Sequence, residues 1–141
     1  MVMTAQEYLG QVKKLDALIG SKLSEIRNLK DVATSTTAAL RLDNAHGKGM
    51  TSDKVGNSVV AIMELEEEMN GEIERLVLLR NEILKTISSL EPAEYDLIYK
   101  RYFQYKTWEE ISDEMYYSRQ WIHMLHKKTL KKIDKILKEF T

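Results

Sequence analysis

The stretch "TWEEISDEMYYSRQWIHMLHKK", residues 107–128, contains two short helical patterns that meet at a tight turn. Thr107 stands three residues before Glu110, which is the spacing of a capping box at the start of a helix. The apolar pattern of this helix ends near Tyr116, and Ser118 is a suitable N-cap for the next helix. The stretch therefore predicts a helix-turn-helix, and it leaves open whether the second helix enters a DNA groove or only completes a helical core.

The segment that begins with this second helix is locally basic. From Ser118 onward, Asp134 is the only acidic residue before Glu139. A basic helix in a chain with a formal net charge of -1 is typical of a local phosphate-binding surface. A solvated C-terminal helix can have the same composition, so charge alone leaves both interpretations open. The basic residues are Arg119, Lys127, Lys128, Lys131, Lys132, Lys135 and Lys138.

Two long apolar stripes precede this segment, at residues 8–33 and 55–90. Their steps of mostly three and four residues predict two helices that fold back as an antiparallel, coiled-coil-like hairpin. Residues 34–52 contain glycines and β-branched residues, which predict a loop between the helices. We therefore expect an all-α chain, with the hairpin at 1–90 and a helix-turn-helix domain at 91–141.

A hairpin of two helices leaves the apolar residues that flank each stripe poorly covered. Leu18, Met63, Leu78 and Leu84 are examples of such flanking residues. Because exposed apolar surface of this length usually marks an interface, we expect the hairpin to form a homo-oligomer, such as a dimer. The residues predicted to form this interface are Ile62, Met69, Ile73 and Leu76.

The composition excludes several classes of protein. The chain has no cysteine, which excludes disulfides and thiolate metal sites. It has no glycine-rich phosphate loop, and the pair His123 and His126 has no third metal ligand near it in sequence. We therefore expect no enzymatic activity, no cofactor, no metal and no small-molecule substrate. No apolar run is long enough to span a bilayer, which favours a cytoplasmic protein.

The segment "LEPAEYDLIYKRYFQYKTWEEISDEMYYSRQWIHMLHKKTLKKIDKIL", residues 90–137, resembles region four of bacterial sigma factors, which reads the upstream hexamer of promoters. The similarity lies in the opening from Leu90 to Glu94, in "TWEEIS" as the first helix and in "YSRQWI" as the start of the recognition helix. The whole chain is similar to short phage and prophage proteins of Gram-positive bacteria. They are generally taken to be sigma-like transcription regulators.

This resemblance implies roles for individual residues. Met124 and Trp121 depart from the family pattern, which usually has a polar and a charged residue at these places. Trp121 is expected to pack against the hairpin or a second copy, or alternatively to contact the DNA backbone. His126 is expected at the surface or on the phosphate side, rather than as a metal ligand. The residues expected to contact bases are Arg119, Gln120, His123 and Met124. Those expected to contact phosphates are Ser118, Lys127, Lys128, Lys131 and Lys132.

Two functions remain open at this point. The first is a DNA-binding regulator of phage or prophage transcription, whose hairpin supplies dimerisation or a contact with RNA polymerase. The alternative is a protein-interaction module that binds RNA polymerase or another regulator without reading DNA. A phage packaging subunit also combines a helix-turn-helix with a coiled coil, but its usual order of domains is the reverse of this one.

Overall fold

The computed structural model describes residues 3–44 and 52–140, and it describes side chains at 3–35 and 59–140. No strand occurs in these ranges, so the predicted all-α fold is confirmed. Directly after α3 the chain continues as a π-helical segment, Tyr99–Phe103. The α-helices are α1 (Ala5–Asn44), α2 (Ser52–Ile87), α3 (Pro92–Ile98), α4 (Trp108–Met115) and α5 (Arg119–Glu139).

The loop predicted at residues 34–52 begins too early. Helix α1 continues to Asn44, so residues 34–44 are helical. Threonine costs a helix no more than about 0.7 kcal/mol per residue relative to alanine, and the strong helix formers at 38–40 offset the run of threonines before them. The rest of the predicted loop, 45–51, lies outside the described residues.

The chain divides by its internal contacts into two compact units. We call Met1–Asp16 together with Leu78–Thr141 the helix-turn-helix unit, and Ala17–Val77 the hairpin unit. Each of the two long helices contributes residues to both units. The sequence predicts two domains with a boundary near residue 90. A division by contacts does not test whether these domains fold independently, so that boundary stays a prediction.

In the hairpin unit, α1 and α2 run antiparallel. Lys22 pairs with Glu72, and the Nζ atom of Lys30 lies 3.3 Å from Oε1 of Glu66. The later lysine on α1 therefore pairs with the earlier glutamate on α2, which is the order expected for antiparallel helices. Half-burial along α2 recurs in steps of mostly three and four residues, which is the pattern of a two-helix seam. The predicted interface residues are among these half-buried ones: Ile62, Met69, Ile73 and Leu76.

The helix-turn-helix unit has a core that combines distant parts of the chain. Its larger cluster of buried side chains joins the start of α1, the end of α2, α3 with its π-helical segment, and α5. A smaller cluster joins α3, α4 and α5. The first cluster contains Ala5, Leu9, Val12, Ile83, Ile87, Ile98, Phe103 and Ile133, and the second contains Leu97, Ile111 and Ile122.

Polar contacts also join α1 to this core. The Nε atom of Arg80 donates to Asp16 Oδ1 at 2.7 Å, and the hydroxyl of Tyr105 donates to the other carboxylate oxygen of Asp16. The hydroxyl groups of Tyr8 and Thr86 are 3.0 Å apart and share a hydrogen bond. The first turns of α1 are therefore part of the unit that contains α5. None of the described helices combines the length and the apolar character that a membrane crossing requires.

Candidate nucleic-acid interface

The tight turn is built by the two caps that the sequence predicts. Thr107 Oγ1 accepts a hydrogen bond from Glu110 N at 3.1 Å, and Glu110 Oε1 accepts one from Thr107 N at 3.2 Å. Helix α4 ends at Met115, and its C-cap residue Tyr116 is left-handed with φ 59°. Ser118 Oγ then accepts a hydrogen bond from Trp121 N at 3.2 Å and caps α5. The predicted helix-turn-helix is thereby confirmed.

Two hydrogen bonds between Ser112 and Tyr117 stabilise the turn between α4 and α5. The hydroxyl of Ser112 donates to the carbonyl oxygen of Tyr117, and the carbonyl oxygen of Ser112 accepts from Tyr117 N at 3.3 Å. A residue other than glycine is uncommon in the left-handed region, so the turn at Tyr116 needs such support. These contacts set the direction in which α5 leaves the turn.

A buried carboxylate on α3 connects that helix to α5. Glu94 is only 2% exposed, and its Oε1 accepts from Lys132 Nζ at 2.9 Å and from Glu91 N at 3.2 Å. The hydroxyl of Thr129, which is fully buried, donates to the carbonyl oxygen of Leu125 at 2.7 Å and lies 3.5 Å from Oε2 of Glu94. Burial raises the pKa of Glu94, but Lys132 and the amide of Glu91 outweigh it and hold the pKa below its ordinary value. The carboxylate therefore stays charged and fixes α5 to α3.

A second contact, made of aromatic and basic side chains, fixes the start of α5 to α4. The guanidinium carbon of Arg101 lies 4.2 Å from the centre of the Trp108 ring. The rings of His123 and His126 each lie 4.8 Å from that of Trp108. Nε2 of His126 is 2.8 Å from the hydroxyl of Tyr102. Arginine over an indole ring is a favourable cation–π arrangement, so this cluster stabilises the helix pair.

The expectation that His126 lies at the surface is wrong. Its ring is half-buried in the cluster just described, and burial, with smaller contributions from Arg101 and His123, lowers its pKa to about 4. The imidazole is therefore neutral at neutral pH and brings no positive charge to the surface. In the sequence, the only sign of this cluster is the i, i+3 spacing of His123 and His126, which places the two rings on one side of α5. That spacing was interpreted above only as a possible pair of metal ligands. The described residues contain no group of three side chains that could hold a metal ion.

The structure places the four residues expected to contact bases on the exposed surface of the first two turns of α5. The guanidinium of Arg119 lies 3.3 Å from Oε2 of Glu109, but both side chains are more than half exposed. Ion pairs of this kind are weak and screened by salt, so Arg119 is available to a ligand. Arg119, Gln120, His123 and Met124 are all exposed.

The residues expected to contact phosphates divide into three groups. Lys127, Lys128 and Lys131 are exposed along α5, beyond the four residues of the first turns. Lys132 instead donates to the buried Glu94. The hydroxyl of Ser118 is the cap of α5, and its residue is exposed.

The turn and the start of α5 also expose apolar side chains. Trp121 is 49% exposed, and its ring centre lies 6.0 Å from that of Tyr117. Met124, one helical turn further, is 63% exposed. Within the described residues, the only ring that contacts Trp121 is that of Tyr117. The indole is thus left partly open to solvent beside the residues expected to contact bases.

Comparison with protein families bears on the same segment. Residues 86–135 match the family described as Sigma-70, region 4. The match begins in the last turn of α2 and ends within α5, so it includes both helices of the helix-turn-helix. No curated protein and no solved structure was found to match the chain. Residues 86–135 are therefore similar to the sigma-70 region 4 family, whose members are DNA-binding domains of the helix-turn-helix type.

Proposed function

We propose that the protein regulates transcription, and that it does so by binding double-stranded DNA through α5. The observation that carries this proposal is the arrangement of the exposed side chains along that helix. Hydrogen-bonding side chains occupy the first turns, and exposed lysines follow them. A helix that enters the major groove contacts base edges with its N-terminal turns. The match at residues 86–135 supports the same role for this helix.

Each side chain at the start of α5 has a chemistry suited to base edges. The guanidinium of Arg119 can donate two hydrogen bonds to O6 and N7 of guanine. The amide of Gln120 can pair in the same way with N6 and N7 of adenine. The ring of His123 is held against Trp108, so it presents its outer edge in a fixed direction. These three residues are proposed to determine the DNA sequence that is bound.

The lysines further along α5 are proposed to contact the phosphate backbone. Lys127, Lys128 and Lys131 are exposed, and each phosphate they neutralise would release condensed counterions. We assign a smaller share of this role to Lys132, because its ammonium group already donates to Glu94. We further propose phage or prophage genes as targets, because the whole chain resembles regulators from those sources.

The proposed DNA binding can be tested without knowledge of the natural site. Duplexes that the full-length protein binds are selected from a random pool, and their affinity is measured by fluorescence anisotropy. Combined replacement of Arg119, Gln120 and His123 by alanine should abolish the preference for the selected sequence. Arg27→Ala removes an exposed positive charge from the hairpin unit and serves as the control. Unchanged preference in the triple variant would contradict the assignment of α5 as the reading helix.

We also propose that the hairpin unit mediates self-association. Ile62, Met69, Ile73 and Leu76 are only half-buried, so a second copy can cover the rest of their surface. The exposed Leu65 lies next to this set, one turn from Ile62 and from Met69. Leu65→Glu should raise the dissociation constant of the oligomer at least about tenfold, which is about 1.4 kcal/mol. Sedimentation equilibrium measures this, with Val60→Glu at an exposed apolar residue on the opposite face of α2 as the control.

The exposed apolar side chains of the hairpin unit also favour the alternative function. A protein-interaction module would use them to bind RNA polymerase or another regulator, with no reading of DNA by α5. Such a module should bind RNA polymerase in the absence of DNA and show no selection from the random pool. Selection of a defined sequence by the protein alone would exclude this alternative.

A further inference from the structure

The exposed apolar side chains at the start of α5 have no role in the hydrogen-bonding scheme above. We call Tyr117, Trp121 and Met124 the apolar patch. Its members are between two-fifths and two-thirds exposed, although large apolar side chains usually gain most from burial. Trp121 and Met124 are three residues apart and so are neighbours on the helix surface. The ring of Tyr117 lies against that of Trp121 and limits the positions that the indole can occupy.

The surroundings of the patch indicate what covers it. Gln120 precedes Met124 by one turn, and Lys127, Lys128 and Lys131 follow on the exposed surface of the same helix. From Arg119 to Ile133, α5 contains no acidic residue. The apolar patch is thus continuous with the proposed base-reading residues and with the lysines, on a part of α5 that has no acidic residue. Such a surface complements the major groove better than it complements an average protein surface.

The major groove presents one apolar group to a protein, the C5-methyl group of thymine. We propose that the apolar patch reads these methyl groups, with Met124 contacting one thymine and Trp121 covering a thymine on an adjacent base pair. This inference rests on the proposed DNA binding by α5 and extends it, because it assigns a base preference to two side chains that cannot make a two-bond pair with a base edge. The bound sequence should therefore contain thymine where α5 enters the groove.

Replacement of thymine by deoxyuridine tests the proposal on the DNA rather than on the protein. The exchange removes only the methyl group and keeps the hydrogen-bonding edge of the base. In a duplex selected by the full-length protein, each thymine is replaced in turn and affinity is measured by anisotropy. At the contacted positions binding should weaken about four-fold, which corresponds to about 0.8 kcal/mol for one buried methyl-sized group.

Two variants then assign the effect to the patch. Met124→Gln keeps the length of the side chain but removes its apolar end, so deoxyuridine at one position should no longer weaken binding. Trp121→Ala should abolish the effect at the adjacent position. Phe140→Ala, which removes an exposed aromatic ring just after α5, is the matched control and should leave both effects unchanged.

The possible outcomes are distinguishable. Equal affinity for thymine and deoxyuridine at every position would overturn the inference while leaving DNA binding itself intact. A methyl effect that persists in both variants would assign it to other residues and would also overturn the inference. If Trp121→Ala changed the oligomeric state in sedimentation and deoxyuridine had no effect, the patch would belong to a contact with a second copy. Failure to select any duplex would instead contradict the proposed function.

Discussion

The helix-turn-helix unit and the hairpin unit bury their apolar side chains to different extents. In the first, side chains from α1, α3, α4 and α5 are fully buried, and Leu9 and Ile133 belong to one cluster. In the second, Ile26 is the only buried residue among the side chains that the structure describes. The exposed large apolar residues of the hairpin unit are Leu18, Leu23, Val32, Val60, Met63, Leu65 and Val77.

This difference follows from the number of elements around each side chain. Two helices can cover only one side of a residue at their seam, whereas residues such as Ile98 have neighbours from several helices. Almost the same spacing of apolar residues therefore gives complete burial at Leu9 and Val12 but partial burial further along α1. The comparison shows that the helix-turn-helix unit buries its apolar side chains within itself, whereas the hairpin unit leaves apolar side chains exposed.

The largest expected effect comes from one substitution made at two places on α1. Leu9→Ala removes a fully buried side chain and should lower the free energy of unfolding by about 2–5 kcal/mol. Leu23→Ala removes a side chain that is half exposed, and it should change that free energy by no more than about 0.5 kcal/mol. Denaturation with urea at several protein concentrations measures both and separates dissociation from unfolding. Equal losses for the two variants would remove the distinction between the units.

A smaller effect is expected for two neighbouring lysines of α5. Lys132→Met leaves the buried carboxylate of Glu94 without its ammonium partner, and it should cost about 1–3 kcal/mol of stability. The lower part of that range is expected because the Lys132 side chain is itself partly exposed to water. Lys131→Met, on the exposed surface, is the control and should be close to neutral. Thermal unfolding measures the pair, and a neutral Lys132→Met would show that Glu94 does not anchor α5.

A further effect, expressed only at acidic pH, is a dependence of the stability of the helix-turn-helix unit on pH. His126 has an ordinary pKa of 6.5 and a pKa of about 4 in the folded protein. Between these values the unfolded chain binds a proton that the folded protein does not, so stability falls as the pH falls through this window. His126→Gln should reduce that fall, measured by urea denaturation at a series of pH values. His123→Gln, which removes an exposed histidine from α5, is the control. This variant should keep the loss of stability at low pH that is due to His126.

Local signals were sufficient to predict most of the helix-turn-helix. The capping box at Thr107 and the cap at Ser118 depend on residues a few positions apart, and the structure contains both. Pro92, directly after Glu91, is another local signal of this kind, because proline favours the first turn of a helix, and α3 begins there. Helix ends of this kind are determined by neighbours in sequence, which explains why they can be predicted from it.

Contacts between distant residues could not be predicted in the same way. The burial of His126 depends on Tyr102 and Trp108, which lie on other segments. The pairing of Glu94 with Lys132 joins α3 to α5, and nothing in the sequence near either residue indicates it. The base contacts expected from the resemblance stay predictions, because exposure shows that side chains are available but not what they bind.

The most direct test of the account is a salt series with two variants of α5. Binding of a selected duplex and of a scrambled one is measured from about 50 to 200 mM salt. Arg119→Ala with Gln120→Ala should bring the two affinities together and change the salt dependence little. Lys128→Ala with Lys131→Ala should weaken both duplexes equally and reduce the salt slope by about one for each phosphate that the variant no longer neutralises. An unchanged ratio of affinities in the first variant would contradict the claim that α5 reads bases.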